Sequence, residues 1–156
     1  MTSPELDKRF IELLAEEGNG AVEAYLPDGT PLRVVIIGPI KTWWGRIHSD
    51  EYLSYAQWRD AVRVAVIREG HLTYSPHRAW QGAWHEVAQK VNNVAIIESD
   101  VVIVLTPDKV ESVGTLAEIE VAHANGIDVI FAPPGTKADL DNLLAELSEL
   151  KTFLNT

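Results

Sequence analysis

Residues 101–105 read Val-Val-Ile-Val-Leu, an unbroken apolar run with Asp100 before it and Thr106-Pro107-Asp108 after it. A strand with one wet face alternates apolar and polar side chains. A run with no polar member suits a strand whose two faces are both covered, as in a parallel sheet lying between layers of helices. This one segment therefore predicts a central strand and, with it, an α/β architecture.

The rest of the chain supplies matching elements. Residues 4–17 place Leu6, Phe10, Leu13 and Leu14 at helical spacing, and Gly18-Asn19-Gly20 ends them. Residues 21–26 then lead through the turn sequence Pro27-Asp28-Gly29-Thr30 into the strand at residues 32–37, a hairpin-like arrangement. A long connection carrying Trp43 and Trp44 precedes a helix at residues 52–69, stopped by Gly70. Further on, the pattern predicts a short strand at 71–74, a helix at 81–99, the central strand, a helix at 115–125, a strand at 127–132 and a last helix at 137–154. In the helix at 115–125, Thr115 is placed to cap, and Gly114 just before it permits a positive φ or a close backbone approach. The expected fold is a Rossmann-like or flavodoxin-like parallel sheet flanked by helices. Residues 1–30 form an N-terminal helix and hairpin extension, and residues 31–156 form the α/β domain.

With 156 residues, 46% of them apolar, and no internal change of composition, the chain suits one globular domain. It has no cysteine, which excludes disulfides, iron–sulfur ligation and a thiol nucleophile. Pro4, Glu5 and Asp7 stand where a secretory leader carries basic and then apolar residues, and no apolar run approaches a membrane span, so a cytoplasmic protein is expected. A net charge of −10 argues against a nucleic-acid surface, which draws on clustered Lys and Arg, while leaving room for a small anionic ligand in a local pocket. The five histidines are scattered without metal-ligand spacing, and neither a dinucleotide glycine motif nor a Walker lysine is present. No cofactor is implied.

Open α/β sheets bind ligands at the carboxyl ends of their strands, where the first N–H groups of the next helix suit an anion. Glu118, early in the helix after the central strand, is aimed at that crevice. Three motifs fall at the same end: Gly38-Pro39-Ile40 after the first core strand, His77-Arg78 after the second, and Ser112-Val113-Gly114-Thr115-Leu116-Ala117-Glu118 after the third. Together they resemble the nucleoside 2-deoxyribosyltransferase-like superfamily over roughly residues 33–134, and Gly-Thr-x-x-Glu is the most specific of them. The resemblance implies that Glu118 attacks the anomeric carbon of a nucleoside or nucleotide. A carboxylate suits an oxocarbenium-like transition state and can form the glycosyl-enzyme.

Ser112 matches a position that is usually Asp in the base-exchanging transferases and Ser in the branch that hydrolyses nucleoside 5'-monophosphates. Since a hydroxyl and backbone N–H groups can hold a phosphate that an added carboxylate would repel, the resemblance favours the nucleotide branch. His77-Arg78, followed by Trp80, is similar to a pair near the nucleotide in cytidylate-type members, which favours a pyrimidine. The same Gly-Thr-x-x-Glu element also resembles phosphoribohydrolases that release cytokinin bases, without their preceding Pro-Gly-Gly. The expected partner is thus a nucleotide or nucleoside, with no nucleic acid and no membrane, and the family implies a homodimer.

Two departures leave the role open. Asn92, eight residues before Asp100, stands where many members carry an Asp beside the leaving base, and an amide cannot protonate a base as an acid can. Glu120 replaces a residue that is often Gly. Each candidate also has a plainer use. Ser112 suits a turn, His77 and Arg78 suit an exposed loop, Asn92 suits a buried hydrogen bond, and Asp100 suits a structural junction. Lys41 and Arg46 beside Trp43 and Trp44 suit either a phosphate with a stacked base or a packed subunit contact. Base transfer and non-catalytic nucleotide binding accordingly stand as alternatives to hydrolysis.

Overall fold

The computed structural model describes residues 22–23, 31–38, 50–76, 86–106 and 113–155. In chain order these form β1 (Val22–Glu23), β2 (Arg33–Ile37), α1 (Asp50–Arg68), β3 (Leu72–Tyr74), α2 (Glu86–Ile97), β4 (Val101–Val104), α3 (Val113–Ala124), β5 (Asp128–Phe131) and α4 (Lys137–Leu154). The predicted helix at residues 4–17 and the tryptophan pair at 43 and 44 lie outside the described residues.

The sheet runs β1-β3-β2-β4-β5, and all of it is parallel except β1, which meets β3 antiparallel. Taken alone, the four parallel strands follow the doubly wound order of a flavodoxin-like fold, with the chain reversing its direction of travel between β2 and β4. β1 does not turn back onto β2 as a hairpin would; Val22 and Glu23 pair with Tyr74 and Thr73. The reason is positional: both edges of β2 are taken by β3 and β4, so a strand entering from the N-terminal side finds its free edge on β3.

Alternation along β2 and β4 divides the core in two. Val35, Ile37, Val102 and Val104 face α2 and α3, where they meet Val91, Ala95, Ile96, Ile119 and Ala122. Val34, Ile36, Val101 and Ile103 face α1 and α4, packing on Tyr55, Trp58, Val62, Val66, Leu143 and Leu147. Every residue of β2 and β4 is buried, so the unbroken apolar run does reflect a strand covered on both faces. Each such aliphatic side chain contributes roughly 1.5–3 kcal/mol on burial.

Polar bonds fix the layers at a few points. Trp58 Nε1 donates to the Ala132 carbonyl at 2.8 Å and ties α1 to the end of β5. At the other end of the sheet the Arg33 N–H and guanidinium donate to the two oxygens of Asp100, at 2.8 and 3.1 Å, while the Asp100 N–H donates to the Arg33 carbonyl at 2.8 Å. This three-bond clamp joins the start of β2 to the entry of β4 and gives Asp100 a structural role. Thr136 and Asp139 form a reciprocal capping box at the start of α4. Gly70, at φ 89°, ends α1 in the left-handed region.

Boundaries differ from expectation mainly at α3. The helix begins at Val113, two residues before the expected cap, so Thr115 is a buried helical residue and not the N-cap. Gly114 sits in the first turn of that helix, and a Cβ placed there would touch nothing within 4 Å. Neither a positive φ nor a close approach accounts for this glycine.

Candidate active site

The carboxyl ends of β2 and β4 meet at the point where the strand order reverses. A narrow cavity of about 20 Å³, or about 280 Å³ when its open mouth is counted, lies there, lined by Ile36, Ile37, Gly38, Tyr55, Arg59, Pro76, Leu105 and Glu118. Its walls come from both layers: α3 brings Glu118 from one side of the sheet, and α1 brings Tyr55 and Arg59 from the other. Such a crevice at a reversal of strand order is where open α/β sheets take ligands.

Glu118 is 8% exposed, and its Oε2 bonds to no described residue. Burial raises its pKa from the ordinary carboxylate range to about 8. The cause is loss of water around the charged form without a compensating donor, which holds the carboxyl protonated at neutral pH. A buried oxygen of this kind is uncommon in a folded protein and concentrates at reactive positions.

Tyr55 and Arg59 stand one helical turn apart on α1, a spacing that puts both on one face. The Arg59 guanidinium lies over the Tyr55 ring, 5.8 Å from its centroid. Gly38 explains how Tyr55 reaches the strand end: a Cβ at this position would collide with the Tyr55 hydroxyl, so only glycine allows the close approach. At the neighbouring end of β3, Ser75 is fully buried with its hydroxyl unbonded by any described residue, and Pro76 beside it lines the cavity.

The fold brings Gly38 and Glu118 together in one cavity although 80 residues separate them. Asn92 is placed differently. It is 5% exposed on α2, and its Oδ1 accepts a 2.7 Å hydrogen bond from the Tyr74 hydroxyl, within the core between α2 and the sheet. It does not line the cavity. Thr115 is buried in α3 and Gly114 half-buried, and neither lines the cavity. Pro39, Ile40, Lys41, His77, Arg78 and Ser112 lie outside the described residues. Tyr55, Arg59 and Pro76 were not singled out from the sequence. The signal for the first two was available in their i, i+4 spacing on the helix after the first core strand.

No group of His, Asp or Glu among the described residues is arranged to hold a metal ion. Nor is any helix among them long and apolar enough to cross a membrane. Compared with known proteins, the chain matches no family model, no curated protein and no solved structure.

Proposed function

We propose that this protein hydrolyses the N-glycosidic bond of a nucleoside 5'-monophosphate, a pyrimidine nucleotide first among them, with Glu118 as nucleophile. The observation that carries this reading is the unbonded, buried carboxyl of Glu118 in the cavity between β2 and β4. The motif resemblance supplies the bond; the burial supplies the reactivity. In the first step a Glu118 oxygen bonds to C1' of the sugar while the C1'–N bond breaks and its electron pair leaves with the base. In the second, water attacks C1' of the ester and Glu118 is restored.

The proton count closes without a separate acid. Glu118 is protonated in the resting cavity and gives up one proton to become the nucleophile, and the departing base takes up one. Water, or His77, which follows β3 in the sequence, would carry it between them. This relieves the difficulty raised by Asn92, whose amide has no proton to give and whose oxygen is already engaged by Tyr74.

Incubation with a panel of nucleosides and their 5'-monophosphates, followed by chromatography for free base, tests the reading. Base release from a monophosphate, reduced roughly 10³-fold or more by Glu118→Gln, is the expected result. Product formed only when a second base is added would replace hydrolysis by transfer, and tight binding with no release would leave a nucleotide-binding protein. A transition state that keeps the Glu118 proton makes kcat/KM level below pH 8 and falling above it. A rate still climbing through pH 8 would show that the base leaves without that proton.

A further inference from the structure

Arg59 is the one described cation among the residues lining the cavity, and the protein as a whole carries a net charge of −10. Its side chain is 17% exposed, and its Nε is buried without a hydrogen bond to any described residue. Asp60 Oδ1 approaches that nitrogen only to 4.0 Å, beyond hydrogen-bond reach, on a side chain that is 55% exposed. The Tyr55 ring lies beneath the guanidinium and limits where it can swing.

Arg59 and Glu118 line the same cavity without forming an ion pair. With the carboxyl held neutral by burial, the charge left in the cavity at neutral pH is that of the guanidinium. A crevice whose one guanidinium has only a long contact to the half-exposed Asp60 and keeps a buried, unbonded N–H attracts an oxyanion and not a neutral or cationic ligand. The guanidinium fork matches the spacing of phosphate oxygens and can donate to two of them at once.

We propose that Arg59 is the anion-receiving residue of this cavity and grips the 5'-phosphate of a sugar phosphate whose sugar lies against Glu118. The choice of a sugar phosphate rests on the glycosidic reading above, whereas the anion site itself rests on the geometry around Arg59. It assigns a binding role to α1, an element that none of the sequence motifs touches.

Calorimetric titration of the full chain with ribose 5-phosphate, ribose and inorganic phosphate tests it. The protein should bind ribose 5-phosphate more tightly than either ribose or inorganic phosphate. Arg59→Gln should weaken ribose 5-phosphate roughly 10- to 100-fold, and Arg59→Lys, which keeps the charge but loses the fork, should weaken it by a smaller factor. Melting curves identify any variant that has lost its fold, in which case the other variant carries the comparison. Folded variants that bind within twofold of the parent overturn the proposal. So does equal affinity of the parent for ribose and ribose 5-phosphate, and equal affinity for inorganic phosphate overturns the sugar-phosphate assignment. Arg59-dependent binding with no base release from any monophosphate would sink the glycosidase and uphold this site. Base release that ignores the Arg59 substitutions would do the reverse.

Discussion

Among the described residues, the two ends of the parallel sheet differ in how many buried polar atoms they leave without a partner. At the amino end, Asp100 is held by the Arg33 N–H and guanidinium, and the buried His71 accepts a 3.3 Å bond from the Leu32 N–H at its Nδ1, although Arg33 Nε bonds to no described residue. At the carboxyl end, Glu118 Oε2, Ser75 Oγ and Arg59 Nε are buried and bonded to no described residue. Satisfied groups at one end fasten the strands in register. Unsatisfied groups at the other are a cost in stability that a ligand can remove.

The largest effect should appear in how stability follows pH at the carboxyl end. Because the folded pKa of Glu118 is raised to about 8, the unfolded chain binds fewer protons than the folded one between pH 4.5 and 8. Stability from this group is therefore complete below pH 4.5 and is lost as pH rises through 8, by up to about 5 kcal/mol. Glu118→Gln should remove that decline; urea denaturation at pH 5 and pH 9 that changes equally in both proteins would erase the contrast.

Next comes the clamp at the amino end. Asp100→Ala leaves the Arg33 N–H and guanidinium without their acceptor, keeps the backbone bond from the Asp100 N–H, and should cost about 3 kcal/mol, read as a lower urea midpoint at unchanged slope. A loss under 0.5 kcal/mol would mean that the clamp does not fasten the sheet. His71 gives the same end a pH dependence of opposite sign. Burial, with a smaller contribution from the Lys151 charge, lowers its pKa to about 4. The unfolded chain then binds more protons between pH 4 and 6.5, so stability falls as pH drops through that window, by about 3 kcal/mol at most. His71→Gln should flatten this part of the curve.

The smallest effect belongs to Tyr74→Phe, which removes the bond to Asn92 and should cost about 1 kcal/mol while leaving base release intact. A loss of activity far beyond that of stability would return Asn92 to the reaction and redraw the boundary between the two regions.

The fold was readable where pattern alone decides it. The unbroken run at β4, Gly70 at the end of α1 and the amphipathic α4 each expressed a constraint that acts within a few residues, and β4 and α4 fell within a residue of their expected ends. The site was readable only in part, because a cavity is a property of strand order. Glu118 and Gly38 carried motifs. Tyr55 and Arg59 have no motif, and their place in the cavity depends on α1 crossing the end of β2, which no local spacing states. The partner of β1 is hidden for the same reason: a turn sequence suggests a hairpin, but which edge is vacant depends on strands further along the chain. Asn92 showed the converse, a position named by resemblance whose side chain is occupied by a tyrosine on the neighbouring strand.

The single antiparallel strand has an effect out of proportion to its two residues. By lying against β3 it occupies that margin of the sheet, and among the described residues the margin along β5 has no such cover. At the β5 margin the first residue another strand would meet is Asp128, an exposed carboxylate of the kind that discourages strands from stacking edge to edge.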